Sequence, residues 1–153
     1  MHRPMHRHFT VSGFVSIGGR TALHRHPRLG IWLPPGGHIE ANEDPVQAVL
    51  REVLEESGLA VEILPTGPRF VAEPPAQLLA PAKVGVYDIP KDGGLDEPHQ
   101  HIDFIYFTRP LVADPVLPDD GRDWTWFDAA ALDSPEVNVD VRELGLAAIA
   151  AAG

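Results

Sequence analysis

Apolar residues recur along the chain at two spacings, which separate predicted strands from predicted helices. Spacings of three and four predict helices over residues 45–57, 128–132 and 138–151. Runs rich in β-branched and aromatic residues predict strands over 9–17, 21–26, 31–33, 60–64, 70–72, 83–89, 99–107 and 123–127. Helices and strands alternate irregularly, and some strands are joined by hairpin turns. The pattern therefore predicts an α/β fold with a mixed rather than a purely parallel sheet.

The helix predicted over residues 45–57 has clear signals at both ends. Asp44 before Pro45 is a helix start, and Gln47 stands where a capping box places Glu or Gln. Gly58 suits a left-handed C-cap, with Leu59 placed to fold back on the last turn. An apolar stripe is expected on the packed face, formed by Val46, Val49, Leu50, Val53 and Leu54.

Length and composition fit one globular domain. The chain has 153 residues, 44% of them hydrophobic and 22% charged. We expect a flexible N-terminal arm over residues 1–8 and a single domain over 9–153. His2, His6 and His8 in the arm offer metal ligands, but a loosely attached arm is the favoured interpretation.

Charge and cysteine content narrow the function classes. The formal net charge of -10 argues against a surface for nucleic acid polymers, and an anionic substrate would need local cationic help. Cysteine is absent, which excludes disulfides and thiolate metal sites. No apolar run has the length of a membrane span, and the N-terminus lacks the apolar core of a signal peptide. A cytoplasmic protein without a membrane partner is therefore expected.

Three carboxylates share one face of the predicted helix. Glu52, Glu55 and Glu56 lie at i, i+3 and i+4, where like charges repel by a few tenths of a kcal/mol per pair. Arg51 can reach Glu55 at i+4. Such a cluster alone is most often a solvated acidic face. We expect an irregular loop at the preceding segment, Pro34-Pro35-Gly36-Gly37. Because the backbone of such a loop can approach a ligand closely, the segment favours a ligand site over a solvated acidic face. Carboxylates converging beside it suggest a hard divalent cation.

The same stretch matches a nine-position pattern, G-x5-E-x7-R-E-U-x-E-E-x-G-U, with U an aliphatic residue. Every fixed position is filled in register, by Gly37, Glu43, Arg51, Glu52, Val53, Glu55, Glu56, Gly58 and Leu59. The chain thus resembles the Nudix hydrolases. The resemblance implies the Nudix fold, an α/β/α sandwich around a mixed β-sheet, and a single Nudix hydrolase domain over residues 9–153.

The resemblance also implies an activity and its residues. Family members hydrolyse a phosphoanhydride bond in a nucleoside diphosphate linked to another group, such as a nucleotide, a nucleotide sugar or a dinucleoside polyphosphate. The expected cofactor is Mg²⁺, with Mn²⁺ as an alternative. The implied metal ligands are the Gly36 carbonyl and the carboxylates of Glu52, Glu55 and Glu56. Glu52 is the first choice for the general base and Glu55 the second, and Arg51 joins this catalytic group by orienting the carboxylates, paired with Glu43.

Residues outside the motif are weaker candidates. Arg25 could meet a substrate phosphate, although a solvent-facing role is favoured. His101 and Asp103 share one strand face and could reach the metal or a diphosphate, or could equally form a hydrogen-bonded row that supports the sheet. Both, together with Glu97, are further candidates for the base. Trp32 is expected to anchor packing near the glycine pair rather than to stack on a base.

Three functions remain open from sequence. The leading one is a metal-dependent pyrophosphohydrolase acting on a small nucleotide-type substrate. The first alternative is a catalytically silent Nudix domain that binds a nucleotide or a protein, and the second is a structural acidic domain. Family members often dimerise, so a homodimer is an expected assembly. Substrate choice is assigned to the loops over 65–81, 90–98 and 114–121, which carry no pattern specific for one base, sugar or coenzyme.

Overall fold

The computed structural model describes residues 5–90 and 98–153. Its helices are α1 (Pro45–Ser57), α2 (Ala129–Leu132) and α3 (Val139–Ala152). Its strands are β1 (Arg7–Ile17), β2 (Arg20–Arg25), β3 (Trp32–Leu33), β4 (Gly36–His38), β5 (Val61–Ile63), β6 (Lys83–Ile89), β7 (His99–Pro110) and β8 (Thr125–Asp128). Within these ranges no helix is both long and apolar enough to cross a membrane.

The strands form one mixed sheet around β1 and β7. Its main path runs β3-β2-β1-β7-β5, with β4 also paired to β1, β6 to β7 and β8 to β2. The β1–β7 pairing is parallel and extends from Arg7 opposite Gln100 to Val15 opposite Thr108. The other pairings are antiparallel, including Val11 of β1 opposite Gly37 of β4. The predicted mixed sheet is confirmed.

Helices cover both faces of this sheet. A Cβ at Gly13 would lie 2.7 Å from Val53 of α1, so Gly13 faces α1. The neighbouring Phe14 packs in the cluster that contains Val141 and Leu144 of α3. Because successive residues of a strand point to opposite faces, α1 and α3 lie on opposite sides of β1. The predicted α/β/α sandwich is therefore confirmed.

Helix α1 has the predicted ends but a narrower packed face. Asp44 accepts from the Gln47 backbone N–H at 2.8 Å, Gln47 accepts in return from Asp44 N–H, and Gly58 caps the helix at φ 74°. Ala48, Val49, Val53 and Ser57 are buried. The expected stripe was too wide on one side: Leu50 and Leu54 are 37% and 50% exposed, whereas Ala48, Val49 and Val53 are the residues buried in the core.

Several predicted elements need correction. Gly36 and Gly37 belong to strand β4, not to an irregular loop, because pairing with β1 supplies backbone partners that the local sequence does not reveal. Residues 70–72 are not a strand. Strand β1 starts at Arg7, two residues inside the expected arm. The remaining differences are shifts of one to three residues at the ends of strands and of the two C-terminal helices. Glu97 and most of the loop expected over 90–98 lie outside the described residues.

Candidate metal and substrate site

Strand β4, which pairs with β1 in the sheet, lies against the acidic face of α1. A Cβ at Gly37 would lie 2.5 Å from the Glu52 carboxyl carbon, and one at Gly36 would overlap the Val11 carbonyl oxygen. Neither position can hold a side chain without displacing a neighbour. The two glycines therefore allow the Glu52 carboxylate to pack directly on the β4 backbone.

Arg51 connects the carboxylates to one another and to the strand. Its Nε and Nη2 donate to the two Glu43 oxygens at 2.6 and 2.7 Å. Its Nη1 donates to Glu52 at 2.9 Å and to Glu55 at 3.2 Å, and Nη2 also donates to the His38 carbonyl at 3.1 Å. This guanidinium holds the pKa of Glu43 at about 2, well below its usual value. One cation thus fixes the relative positions of Glu43, Glu52 and Glu55.

Glu56 points to the free edge of β4. One of its oxygens accepts from the Gly36 N–H at 2.7 Å, and the other accepts from Arg122 Nη1 at 2.7 Å. In an extended strand the N–H and C=O of one residue point to the same side, so the Gly36 carbonyl also faces away from β1. Glu56 and the Gly36 carbonyl therefore lie at the same edge.

The donor set fits a hard divalent cation. Glu52, Glu55, Glu56 and the Gly36 carbonyl offer only oxygen atoms, which Mg²⁺ and Mn²⁺ prefer. Burial raises the pKa of Glu52, opposed by Arg51 and reinforced by the charges of Glu56 and Glu55. The charges of Glu56 and Glu55 thus act on Glu52, and a cation held among the carboxylates would offset that repulsion. The side chain of Glu55 is 60% exposed, so solvent reaches the cluster.

A cavity of about 800 Å³ begins at β4 and runs between the sheet and the start of α3. This volume lies in the range of small-molecule binding pockets. The cavity meets the acidic cluster through Glu56, Gly36 and Gly37, whereas Glu52 and Glu55 are not part of its wall. Among its other wall residues are Thr10, Ser12, His24, His26, Arg28, His38, Tyr87, His101, Asp103, Arg122, Asn138 and Asp140.

Asp103 lies in the cavity wall but is held by the sheet. Its two oxygens accept from Thr10 Oγ1 at 2.8 Å and from Ser12 Oγ at 2.7 Å. Burial raises the pKa of Asp103, and these two hydrogen bonds oppose the rise. Nearby, Tyr87 donates to Asp140 at 2.8 Å. The hydrogen-bonded supporting row, one of the two alternatives for Asp103, is present.

His101 lies in a group of imidazoles at the start of β7. His8 Nδ1 and His38 Nε2 are 3.2 Å apart, as are the Nε2 atoms of His99 and His101. Burial, followed by the nearby imidazoles of His38, His99 and His8, lowers the pKa of His101 to about 4. His101 is therefore a neutral group at physiological pH, available as a hydrogen-bonding partner or a metal ligand.

Arg25 does not reach the cavity. Its guanidinium lies 4.7 Å from the centre of the Trp32 ring and 3.6 Å from the Glu136 carboxylate. Trp32 in turn packs edge-on against Phe127, with ring centroids 4.9 Å apart. Trp32 is thus a buried packing residue, as expected, but its ring contacts are with Phe127 and Arg25 rather than with the glycine pair. The Arg25 side chain is 40% exposed, a position that favours the solvent-facing role over contact with a substrate phosphate.

Arg122 is an arginine of the cavity wall that also contacts the acidic cluster, and the sequence did not point to it. It lies in the acidic connection before β8, where a lone arginine between aspartates is an ordinary surface residue. The one feature of the sequence that could have drawn attention to Arg122 is that it is the sole basic residue between Arg109 and Arg142. His38 was also not named as a site residue from the sequence. Its position directly after the glycine pair could have indicated that it lies near the site.

Comparison with known proteins identifies the family. The NUDIX domain family matches residues 7–145. An RNA pyrophosphohydrolase from Gluconacetobacter diazotrophicus is 33% identical over an alignment of 139 positions that covers 86% of this chain and 77% of that protein. The m7GpppN-mRNA hydrolase NUDT17 of Danio rerio is 59% identical over 29 residues, which are 19% of this chain and only 10% of that protein.

The fold agrees with these sequence matches. The crystal structure of a NUDIX family hydrolase from Clostridium perfringens superposes with a TM-score of 0.72 at 23% identity, covering 95% of this chain and 98% of the other. The family match over residues 7–145 includes the glycine pair, α1 and the residues of the cavity wall. The chain belongs to the Nudix hydrolase family.

Proposed function

We propose that the protein is a divalent-metal-dependent hydrolase of a phosphoanhydride bond in a nucleoside diphosphate linked to another group. The observation that carries this proposal is the meeting of two features at β4. The oxygen-donor cluster of Glu52, Glu55, Glu56 and Gly36 lies on one side, and a cavity of ligand size opens from the same strand. A metal and a diphosphate could thus be bound side by side.

The bound metal, Mg²⁺ or Mn²⁺, would neutralise phosphate oxygens and lower the pKa of an attacking water. Glu52 is the preferred general base, because burial raises its pKa toward the range in which a carboxylate accepts a proton well. Glu55, with its exposed side chain, is the second choice. Arg51 contributes by holding both carboxylates in place.

Arg122 supports the binding of an anionic substrate. The protein carries a formal net charge of -10, so a diphosphate needs local positive charge. Arg122 lies in the cavity wall with its guanidinium 2.7 Å from Glu56, and Arg28 lies in the same wall. A guanidinium matches the geometry of phosphate oxygens, so we assign Arg122 to the substrate diphosphate.

The substrate class is best tested with a panel. It would contain nucleoside triphosphates, nucleotide sugars, dinucleoside polyphosphates, ADP-ribose and coenzyme A. The name of the Gluconacetobacter relative adds an RNA carrying a 5′ triphosphate, although the acidic surface favours a small nucleotide over a polymer. Each substrate would be incubated with Mg²⁺, with Mn²⁺ and with a chelator.

Glu56→Gln is the variant to run beside the wild type. It keeps the size of the side chain but removes a charged metal ligand, so we expect turnover of the preferred substrate to be lost while the fold persists. Glu62→Gln is the matched control, because Glu62 is an exposed acid paired with Arg109 on β5, outside the site. Normal turnover by Glu56→Gln at saturating Mg²⁺ would contradict the ligand assignment.

If none of the substrates in the panel were hydrolysed, the result would favour a catalytically silent Nudix domain over an enzyme. If the wild type bound a nucleotide with Mg²⁺ but released no product, the chain would act as a nucleotide-binding Nudix module. Product formation that persists in the chelator would refute metal dependence while leaving the phosphoanhydride substrate class intact.

A further inference from the structure

Four histidines from three strands gather at one end of the sheet. His8 of β1 is directly opposite His101 of β7, and His38 of β4 is opposite Thr10, one step further along the same face of β1. His99 lies two residues before His101. The ring of His8 has its centroid 5.3 Å from that of His38, 4.8 Å from that of His99 and 5.8 Å from that of His101.

Three of these imidazoles are spaced for a common metal ion. One ring nitrogen each from His8, His38 and His101 lies within 4.8 Å of the others. Nitrogens bound tetrahedrally to zinc at its usual bond length lie about 3.3 Å apart. The 3.2 Å contact between His8 and His38 already matches that spacing. His101 would need to approach by about 1.5 Å at most, within the reach of a side-chain rotation.

The ligand chemistry differs from that of the carboxylate cluster. Imidazole nitrogens suit Zn²⁺, Cu²⁺, Ni²⁺ and Fe²⁺, whereas Mg²⁺ and Ca²⁺ favour oxygen. Beside the three histidines, the Nε2 atoms of His99 and His101 are 3.2 Å apart. The two groups of ligands would therefore select different ions.

We propose that His8, His38 and His101 form a second metal site that takes Zn²⁺ or a similar transition-metal ion, separate from the carboxylate site on α1. His38 and His101 belong to the wall of the large cavity. Three protein ligands leave a fourth tetrahedral position for water or for an anionic group of a molecule in the cavity. A metal bound there would also link the start of β1 to β4 and β7 through one ligand from each strand.

Cobalt is the most direct probe of this site. Co²⁺ in a tetrahedral nitrogen environment absorbs visible light strongly, whereas Co²⁺ among octahedral oxygen ligands absorbs weakly. Titration of the wild-type protein with Co²⁺ should produce a strong band that saturates at one equivalent and is removed by Zn²⁺. This readout is independent of turnover, so it can fail or succeed whatever becomes of the proposed hydrolase activity.

Variants would locate the band. His38→Gln and His101→Gln should each abolish it, with folding checked by far-ultraviolet circular dichroism. His26→Gln is the matched control, because His26 lies in the same cavity but outside the three-histidine group, and it should keep the band. Glu56→Gln should also keep it, since that carboxylate belongs to the other site.

Three results would overturn the proposal. The first is a wild-type protein without the strong band, which would leave the four histidines as a hydrogen-bonded group. The second is loss of the band in Glu56→Gln but not in His38→Gln, which would place cobalt at the carboxylates. The third is an equal loss in His26→Gln. If one glutamine variant failed to fold, His8→Asn would take its place, and a retained band there would equally refute the site.

Discussion

At the residue scale, Arg51 controls the geometry of the acidic cluster. Its guanidinium donates to three carboxylates and to one carbonyl, and the side chain is 24% exposed. The contact with Glu55 follows from the i, i+4 spacing and was predictable. The contact with Glu43 was expected from the family resemblance. The contact with His38 depends on the approach of β4 to α1 and could not be seen in the sequence.

We expect Arg51→Ala to reduce turnover roughly 10- to 100-fold, as is typical when a residue that orients metal ligands is lost. The reason is that Glu52 and Glu55 lose the cation that sets their spacing. Apparent Mg²⁺ affinity and kcat would be measured together. Arg109→Ala is the matched control, because it removes a similar arginine–glutamate pair at an exposed position on β7. Full activity with unchanged Mg²⁺ affinity in Arg51→Ala would rule out the positioning role.

The Glu43–Arg51 pair should also make stability depend on acid pH. The pKa of Glu43 in the folded protein is about 2, below its usual value of 4.5. A depressed pKa stabilises the fold where the carboxylate is charged, so the contribution is complete above about pH 5 and disappears as the pH falls from 4.5 toward 2.

A double-mutant cycle with Glu43→Gln and Arg51→Ala would measure that contribution. The coupling between the two residues should be constant from neutral pH down to about pH 5 and should shrink steadily below it. A coupling that grew on acidification would have the wrong sign for this pair, and one that vanished at neutral pH would mean that the pair is not formed in solution.

At the element scale, α1 is the part of the molecule most fully encoded in local sequence. The capping box, the proline start and the glycine stop each act over a few residues, so they were predictable. The packed face was only partly predictable. Leu50 and Leu54 continue the apolar spacing, but they lie about 100° around the helix from the buried Val49 and Val53 and remain exposed.

The cap of α1 can be tested against the cap of α3. Asp44 accepts a backbone hydrogen bond at the start of α1, whereas Asn138 starts α3 without a side-chain cap hydrogen bond. Asp44→Ala should lower the free energy of unfolding by about 1 kcal/mol. Asn138→Ala should lower it by much less. Urea denaturation of both variants would measure the difference, and equal losses would mean that the observed Asp44 contact contributes nothing.

Strand β4, unlike α1, is determined by tertiary contacts rather than by its local sequence. Pro34-Pro35-Gly36-Gly37 predicted an irregular loop, because proline cannot donate to a ladder and glycine weakens strands. The Gly36 and Gly37 backbones nevertheless pair with Ser12 and Val11 of β1. Glycine is useful here for a tertiary reason, since the neighbouring strand and the Glu52 carboxylate leave no room for a Cβ.

At the scale of the whole molecule, the site depends on how closely α1 lies against the sheet. Gly13 of β1 has no side chain at the contact, and a Cβ there would lie 2.7 Å from Val53 and 2.9 Å from Val49. This close approach brings the acidic face of α1 down to β4. The distance of α1 from the sheet, and with it the position of the proposed metal ligands, therefore depends on a glycine outside the family motif.

We expect Gly13→Ala to lower the free energy of unfolding by 1–3 kcal/mol, about the usual cost of overpacking a core, and to reduce turnover by displacing α1. Val53→Ala makes room for the added methyl group. The double variant should therefore lose less stability than the sum of the two single variants. Chemical denaturation and kinetic assays on all three proteins would check this, and strict additivity would show that the two sites do not touch.

The sequence by itself determined the family motif, helix α1 with its caps, the mixed α/β class and the acidic character of the chain. Each of these depends on local spacing or on composition, which need no knowledge of distant partners. The roles of Glu52, Glu55 and Glu56 as metal ligands remain predictions from the motif, and the structure adds an arrangement that fits them.

The tertiary structure alone decided which distant residues share the cavity. Asp103 meets Thr10 across 93 positions of chain because β1 and β7 pair in parallel, and the same register places His8 beside His101. Arg122 reaches Glu56 across 66 positions, from a connection whose Arg122 carbonyl accepts from the Arg25 N–H of β2. Strand register and loop course follow from packing of the whole core, since a residue's own neighbours in sequence do not specify which distant strand will lie beside it.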